Sequence, residues 1–186
     1  MTRPSLVIIS GPPAAGKSRL ARPLARKLGL PLLQKDVIKE QIADAIGDLP
    51  DLDSGRLGLA AIRILYSTTL ELLANGQSVV IESFFHKGKA EADLLPLLDF
   101  ANACLLHVTA DEPLLISRYE RRMESPDRHA VHNDAMRLDD LRRYIAEGIT
   151  EPLALPIPII EVDTTYGSLD VEEIAFMVGE ALSPED

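Results

Sequence analysis

Apolar positions along the chain follow two periods that alternate, and the alternation predicts the elements. The runs Leu6-Val7-Ile8-Ile9, Ser78-Val79-Val80-Ile81-Glu82 and 103–109 are short, rich in β-branched or aliphatic residues and bounded by turn residues, so they predict buried strands. The stretches 31–34 and 156–163 add two more, and the prolines at 156 and 158 suit an edge strand or a strand start. Between these runs the spacing becomes helical. Leu20, Leu24 and Leu28 share one face of a helix that begins at about Gly16 and ends at Gly29. Further helices are predicted over 36–46, from Asp53 or Ser54 to 74, around Leu94, Leu95, Leu97 and Leu98, and over 111–123, 134–147 and 171–182. Pro23 lies inside a helical pattern, where it predicts a kink or an irregular hydrogen bond, and Pro96 is a second proline awkwardly placed in one. Residues 124–134 are polar, proline-broken and aperiodic, and read as a mobile loop.

Strands alternating with helices predict an α/β fold: five parallel strands with helices on both faces, in a single domain over residues 1–186. Ligands in such sheets bind beyond the carboxyl ends of the strands. Ser10, Gln34 to Asp36, Glu82 to His86, Ala110 and Asp163 to Thr165 are therefore expected around one crevice.

Composition narrows this picture. With 186 residues, 46% hydrophobic and 26% charged, the chain has the usage of one globular domain. No apolar run approaches the length expected of a bilayer span, and the first residues lead straight into a strand, so a soluble cytoplasmic protein without a membrane partner is expected. Cys104, inside an apolar run, reads as a small core residue. A net charge of −10 argues against broad adhesion to nucleic acid. The basic residues nevertheless cluster, with Arg118, Arg121, Arg122 and Arg128 close together and Arg137, Arg142 and Arg143 just after.

The candidate chemistry begins where the first strand ends. Gly11-Pro12-Pro13-Ala14-Ala15-Gly16-Lys17-Ser18 has the form G-x-x-x-x-G-K-S, flanked by a strand and an amphipathic helix. Glycines let the backbone curl so that successive N–H groups converge on the phosphates of ATP, and the helix N-terminus adds partial positive charge. Lys17 is assigned to the β and γ phosphates and Ser18 to Mg²⁺. Asp36, at the end of the second strand, is the candidate base for an acceptor hydroxyl, or alternatively a helix cap; the same residue is able to do both. Lys39, one turn on, is a candidate ligand for a substrate anion or a solvated lysine. Glu82 ends the third strand, where it would serve Mg²⁺ or the substrate, and His86 extends from that strand into the crevice as a candidate substrate contact. Phe84 and Phe85 are divided between core and substrate wall. The arginines, on a helix and in the loop beside it, suit a lid that meets phosphoryl charge and excludes water; a solvated helix face is the alternative. His129 and His132 lack a third metal ligand at convincing spacing.

The order of these pieces resembles the AAA-like ATP-binding kinases, a family that includes chloramphenicol phosphotransferase, gluconate and shikimate kinases, polynucleotide 5′-kinases and zeta toxins. The resemblance covers the whole chain and rests on Gly11 to Ser18, the Lys35-Asp36 pair, the strand ending in Glu82, and Arg118-Tyr119-Glu120-Arg121-Arg122 ahead of a lid at about 124–135. It implies a strand order of 2-3-1-4-5, Arg118 against adenine or the phosphates, and Arg122 or Arg128 as the lid arginine. Asp36-Val37-Ile38-Lys39 is similar to the D-x-x-R of polynucleotide kinases with lysine replacing arginine; Arg128-His129-Ala130-Val131-His132 is similar to R-H-P-G-H without its proline and glycine. The expectation is a kinase, monomer or homodimer, moving the γ-phosphoryl group of ATP to a small-molecule hydroxyl. A nucleotide-hydrolysing switch is the second reading. A polynucleotide 5′-hydroxyl kinase is third, because no evident aromatic stacking track for a strand exists.

Overall fold

The computed structural model describes residues 3–47, 53–126, 129–132, 138–167 and 169–183. Strands β1 (Ser5–Ser10), β2 (Leu32–Gln34), β3 (Val79–Glu82), β4 (Asn102–Thr109) and β5 (Ile159–Asp163) form one sheet in the order β2-β3-β1-β4-β5. Every neighbouring pair is parallel. The expected strand number, direction and order are all observed.

Alternation along the central strands explains why helices cover both faces. Val7 and Ile9 of β1 point to one core with Cys104, Leu106 and Val108 of β4, while Leu6 and Ile8 point to the other with Ala103 and Leu105. A parallel sheet buried this way needs apolar side chains on successive residues, which is why its strands read as continuous apolar runs. The first core is closed by α1 (Lys17–Leu28), α5 (Glu112–Met123) and α7 (Val171–Leu182), through Leu20, Leu24, Leu115, Ile174 and Val178. The second is closed by α3 (Ser54–Ala74), α4 (Glu91–Leu94) and the 3-10 segment Leu95–Asp99, through Leu65, Leu73, Leu94 and Leu97. Helices α2 (Lys35–Ile46) and α6 (Leu138–Ala146) border the crevice.

Some expectations change on contact with tertiary structure. The helix predicted around Leu94 is two pieces: α4 stops at Leu94, and Pro96, without an N–H to donate, sits in the first turn of the 3-10 segment. Pro23, by contrast, is carried within α1. The loop expected over 124–134 contains a 3-10 turn, Ala130–His132, whose His132 is buried; its residues 127–128 and 133–134 lie outside the described residues. Helix α3, 21 residues long, is long and apolar enough by composition to cross a membrane, so the expectation that no run approaches that length was too strong. In this fold Leu57, Ala61, Leu65, Thr69 and Leu73 face inward, and Leu59, Ile64 and Leu70 remain exposed. Cys104 is a core residue, and burial pushes its thiol up to about 12. Strand β5 lies at the sheet edge with Ile160 and Val162 inward, and Pro158 ahead of it accepts a hydrogen bond from Leu105 N.

Candidate active site

Strand β1 delivers the chain to the sheet's carboxyl edge, and glycine geometry then turns it. Gly11 has φ +131°, and a Cβ there would lie 1.9 Å from the Val108 carbonyl oxygen, so no other residue fits against β4. Ala14, at φ 66°, and Gly16, at φ 97°, complete the curl into α1, whose N-terminus carries no side-chain cap. Thr164, just beyond β5, braces this loop from below. Its hydroxyl lies 3.0 Å from Ala15 O and 3.1 Å from Thr109 O and accepts from Arg118 Nη1 at 2.8 Å; Arg118 Nη2 also donates to Thr164 O at 2.9 Å. Arg118, which the family resemblance places against the nucleotide, is thus held by Thr164 just after β5 while it lines the cavity.

The Lys17 ammonium is buried and donates to Gly11 O and Pro12 O, both at 2.8 Å. Burial lowers its pKa to about 8, and the carboxylates Glu82 and Asp36 partly oppose that fall. Glu82, at the end of β3, accepts from Gln34 Nε2 at 2.8 Å and from Ser18 Oγ at 3.2 Å. One carboxylate, one hydroxyl and one amide thus meet beside the phosphate loop. The carboxylate and the hydroxyl are hard oxygen donors, held in place by the Gln34 NH2, and suit Mg²⁺, which takes few protein ligands and completes its shell with water and phosphate. No group of three or more His, Cys, Asp or Glu suited to a metal occurs among the described residues, which include His129 and His132. Those histidines meet carboxylates of α2 instead: His132 Nε2 lies 2.6 Å from Glu40 Oε1, and His129 Nε2 3.0 Å from Asp44 Oδ1.

A cavity of about 730 Å³ joins these parts, within the range of about 300–1,000 Å³ common for ligand sites. Lys17, Ser18, Asp36, Glu82, His86, Arg118, Arg121 and Arg122 all line it. Asp36 lies in the first turn of α2, whose cap position is Gln34, so the capping alternative does not hold. Arg122 packs over the Tyr119 ring at 4.7 Å. Lys39 is placed elsewhere: it is buried and donates to Ser54 Oγ at 2.7 Å, which in turn donates to Val131 O at 2.7 Å, so it is neither solvated nor on the cavity wall. Arg128 lies outside the described residues. Phe85 is core, whereas Phe84 and His86 face the cavity. Gln34, Thr164, Asp140 and Tyr144 are site or support residues to which sequence alone gave no role; position at a strand end was the one available signal, and only for the first two.

The fold and loop define a P-loop protein, and comparison with known proteins agrees. Residues 6–147 match the AAA domain family, and the chain belongs to it. A protein provisionally named a kinase, from Chloroflexus aurantiacus j-10-fl, is 33% identical with a TM-score of 0.87, covering 98% of this chain and 100% of that one. Shikimate kinase from Bacteroides thetaiotaomicron, at 16% identity and TM-score 0.59, covers 96% and 98%; Kti12 from Chaetomium thermophilum, solved with ADP-AlF3, at 17% and 0.67, covers 96% and 100%. These two share the fold of this chain. No curated protein matches it.

Proposed function

We propose that the protein is an ATP- and Mg²⁺-dependent kinase that transfers the γ-phosphoryl group to a hydroxyl of a small molecule. The observation that carries this reading is Asp36 on the wall of the same cavity as the phosphate loop, close enough to Lys17 to act on its charge. The names of the similar structures, a provisional kinase and a shikimate kinase among them, support the same class.

The residues divide the work. The curled backbone from Gly11 to Ser18 and the N-terminus of α1 cradle the phosphates, and Lys17 with Arg118, Arg121 and Arg122 supplies positive charge. Ser18 and Glu82 would hold Mg²⁺, with Gln34 fixing the carboxylate; the ion supplies charge neutralisation between phosphates. Asp36 takes the proton of the acceptor hydroxyl as the new O–P bond forms and the bridging bond to the β phosphate breaks, releasing ADP. Calorimetry with Mg-ATP followed by an acceptor-library screen tests the reading: binding with phosphorylation of an acceptor is expected. Tight binding with release of inorganic phosphate alone would favour a hydrolysing switch instead.

A further inference from the structure

Three rings on the cavity wall are absorbed by neither the nucleotide site nor the core. Beyond β3 the backbone alternates, so Phe85 turns into the core while Phe84 and His86 turn to the cavity. Tyr144 of α6 meets both from the opposite side. Ring centroids are 4.4 Å apart for Phe84 and His86, 4.8 Å for His86 and Tyr144, and 5.7 Å for Phe84 and Tyr144. The cluster begins beside the phosphate loop, because Lys17 Nζ lies 5.9 Å from the Phe84 centroid. All three residues are half-buried and line the cavity.

Two ion pairs flank the rings. Lys35 Nζ lies 3.5 Å from Asp36 Oδ1, and Arg143 Nη2 donates to Asp140 Oδ1 at 2.7 Å while its guanidinium covers the Tyr144 ring at 5.3 Å. Burial, reinforced by Lys89 and Lys35, lowers His86 to about 4, which keeps the imidazole neutral near pH 7. A carboxylate entering here would meet Lys35 and Arg143 already paired with Asp36 and Asp140. An apolar ring face would meet three rings of the right size.

Resting on the kinase reading above, we propose that Phe84, His86 and Tyr144 form the acceptor-binding surface and that the acceptor is an uncharged, ring-bearing alcohol whose ring face packs on them. A ring seated there carries its hydroxyl into the space bounded by the phosphate loop and Asp36. Aromatic rings and the C–H face of a pyranose share the chemistry this surface recognises, so the test separates them.

Uridine and benzyl alcohol as aromatic probes, methyl glucoside as pyranose, glycerol as open chain, and shikimate and gluconate as carboxylated alcohols are offered to the wild type with Mg-ATP, beside a cell metabolite extract. Saturation-transfer NMR reads binding and mass spectrometry reads phosphorylation. Uncharged ring alcohols are expected to bind, with the phosphorylated compound drawn from them or from one of their class in the extract. Tyr144→Leu and Phe84→Leu are expected to raise the acceptor KM about tenfold with KM for ATP little changed, while Phe84→Tyr, which keeps a ring, stays near wild type. Preference for shikimate, gluconate or an open-chain alcohol would overturn the inference and leave the kinase reading standing, as would leucine variants of native melting temperature with an unchanged acceptor KM. Mg-ATP binding with nothing phosphorylated in panel or extract would overturn the kinase reading and this inference together.

Discussion

Replacing Lys17 by methionine separates what the phosphate loop costs the fold from what it does for nucleotide. The ammonium is buried, and its pKa falls from 10.5 to about 8. That difference, at about 1.4 kcal/mol per unit, makes the charged lysine unfavourable to the nucleotide-free fold by about 3 kcal/mol. The sign follows from proton counts. Between about 8 and 10.5 the unfolded chain keeps a proton that the folded chain has released, so wild-type stability rises with pH through that window, and the full penalty is present below it. Lys17→Met removes the penalty but also two hydrogen bonds to Gly11 O and Pro12 O, worth about 1 kcal/mol each. The variant should therefore be more stable than wild type by about 1 kcal/mol at pH 7 and less stable by a similar amount near pH 10. Urea unfolding at both pH values measures this, and the difference between the two proteins cancels groups common to both. Calorimetry should meanwhile show Mg-ATP binding lost in the variant, and in wild type a proton taken up with ATP above pH 8, since phosphate charge raises the lysine again. A stability difference between wild type and Lys17→Met that does not change with pH would refute the reasoning.

Gly11→Ala should destabilise the protein by about 2–5 kcal/mol, from overlap with the Val108 carbonyl and an unfavourable φ, whereas Gly29→Ala, with φ +67° and nothing within 4 Å of the new Cβ, should cost about 1–2 kcal/mol; equal urea midpoints would show that the β1–β4 approach is not what demands glycine. Asp36→Asn should lower kcat for the identified acceptor by about 10²–10⁴ with the dissociation constant for Mg-ATP unchanged; a wild-type rate would remove Asp36 as the base. Thr164→Val keeps the shape but deletes the hydroxyl between Arg118, Ala15 and Thr109, and should cost about 1–3 kcal/mol in thermal unfolding and weaken ATP binding, with both unchanged if the hydroxyl is not the brace.

The legible parts of this protein are those whose partners lie close in sequence or whose pattern repeats. Five apolar runs predicted five strands because each central strand is buried on both faces, and Gly11 to Ser18 declared itself because its function needs that spacing. The support shell was less visible. Thr164 meets Ala15 across 149 positions and Gln34 meets Glu82 across 48, so their roles exist only once β2 has paired with β3 and β5 with β4. Lys39 read as a surface or substrate lysine because its helical spacing from Asp36 says nothing of α3, which covers it and offers Ser54. Pro96 was legible as a proline misplaced in a helical pattern, but the end of α4 at Leu94 and the 3-10 segment after it are seen only in the fold.

Phosphorus NMR of the wild type incubated with Mg-ATP and a cell metabolite extract follows the γ-phosphoryl group itself. The account predicts a new phosphomonoester resonance that grows as ATP is consumed and is absent with Asp36→Asn. Inorganic phosphate as the one new species, at a rate indifferent to the extract and to Asp36→Asn, would contradict it.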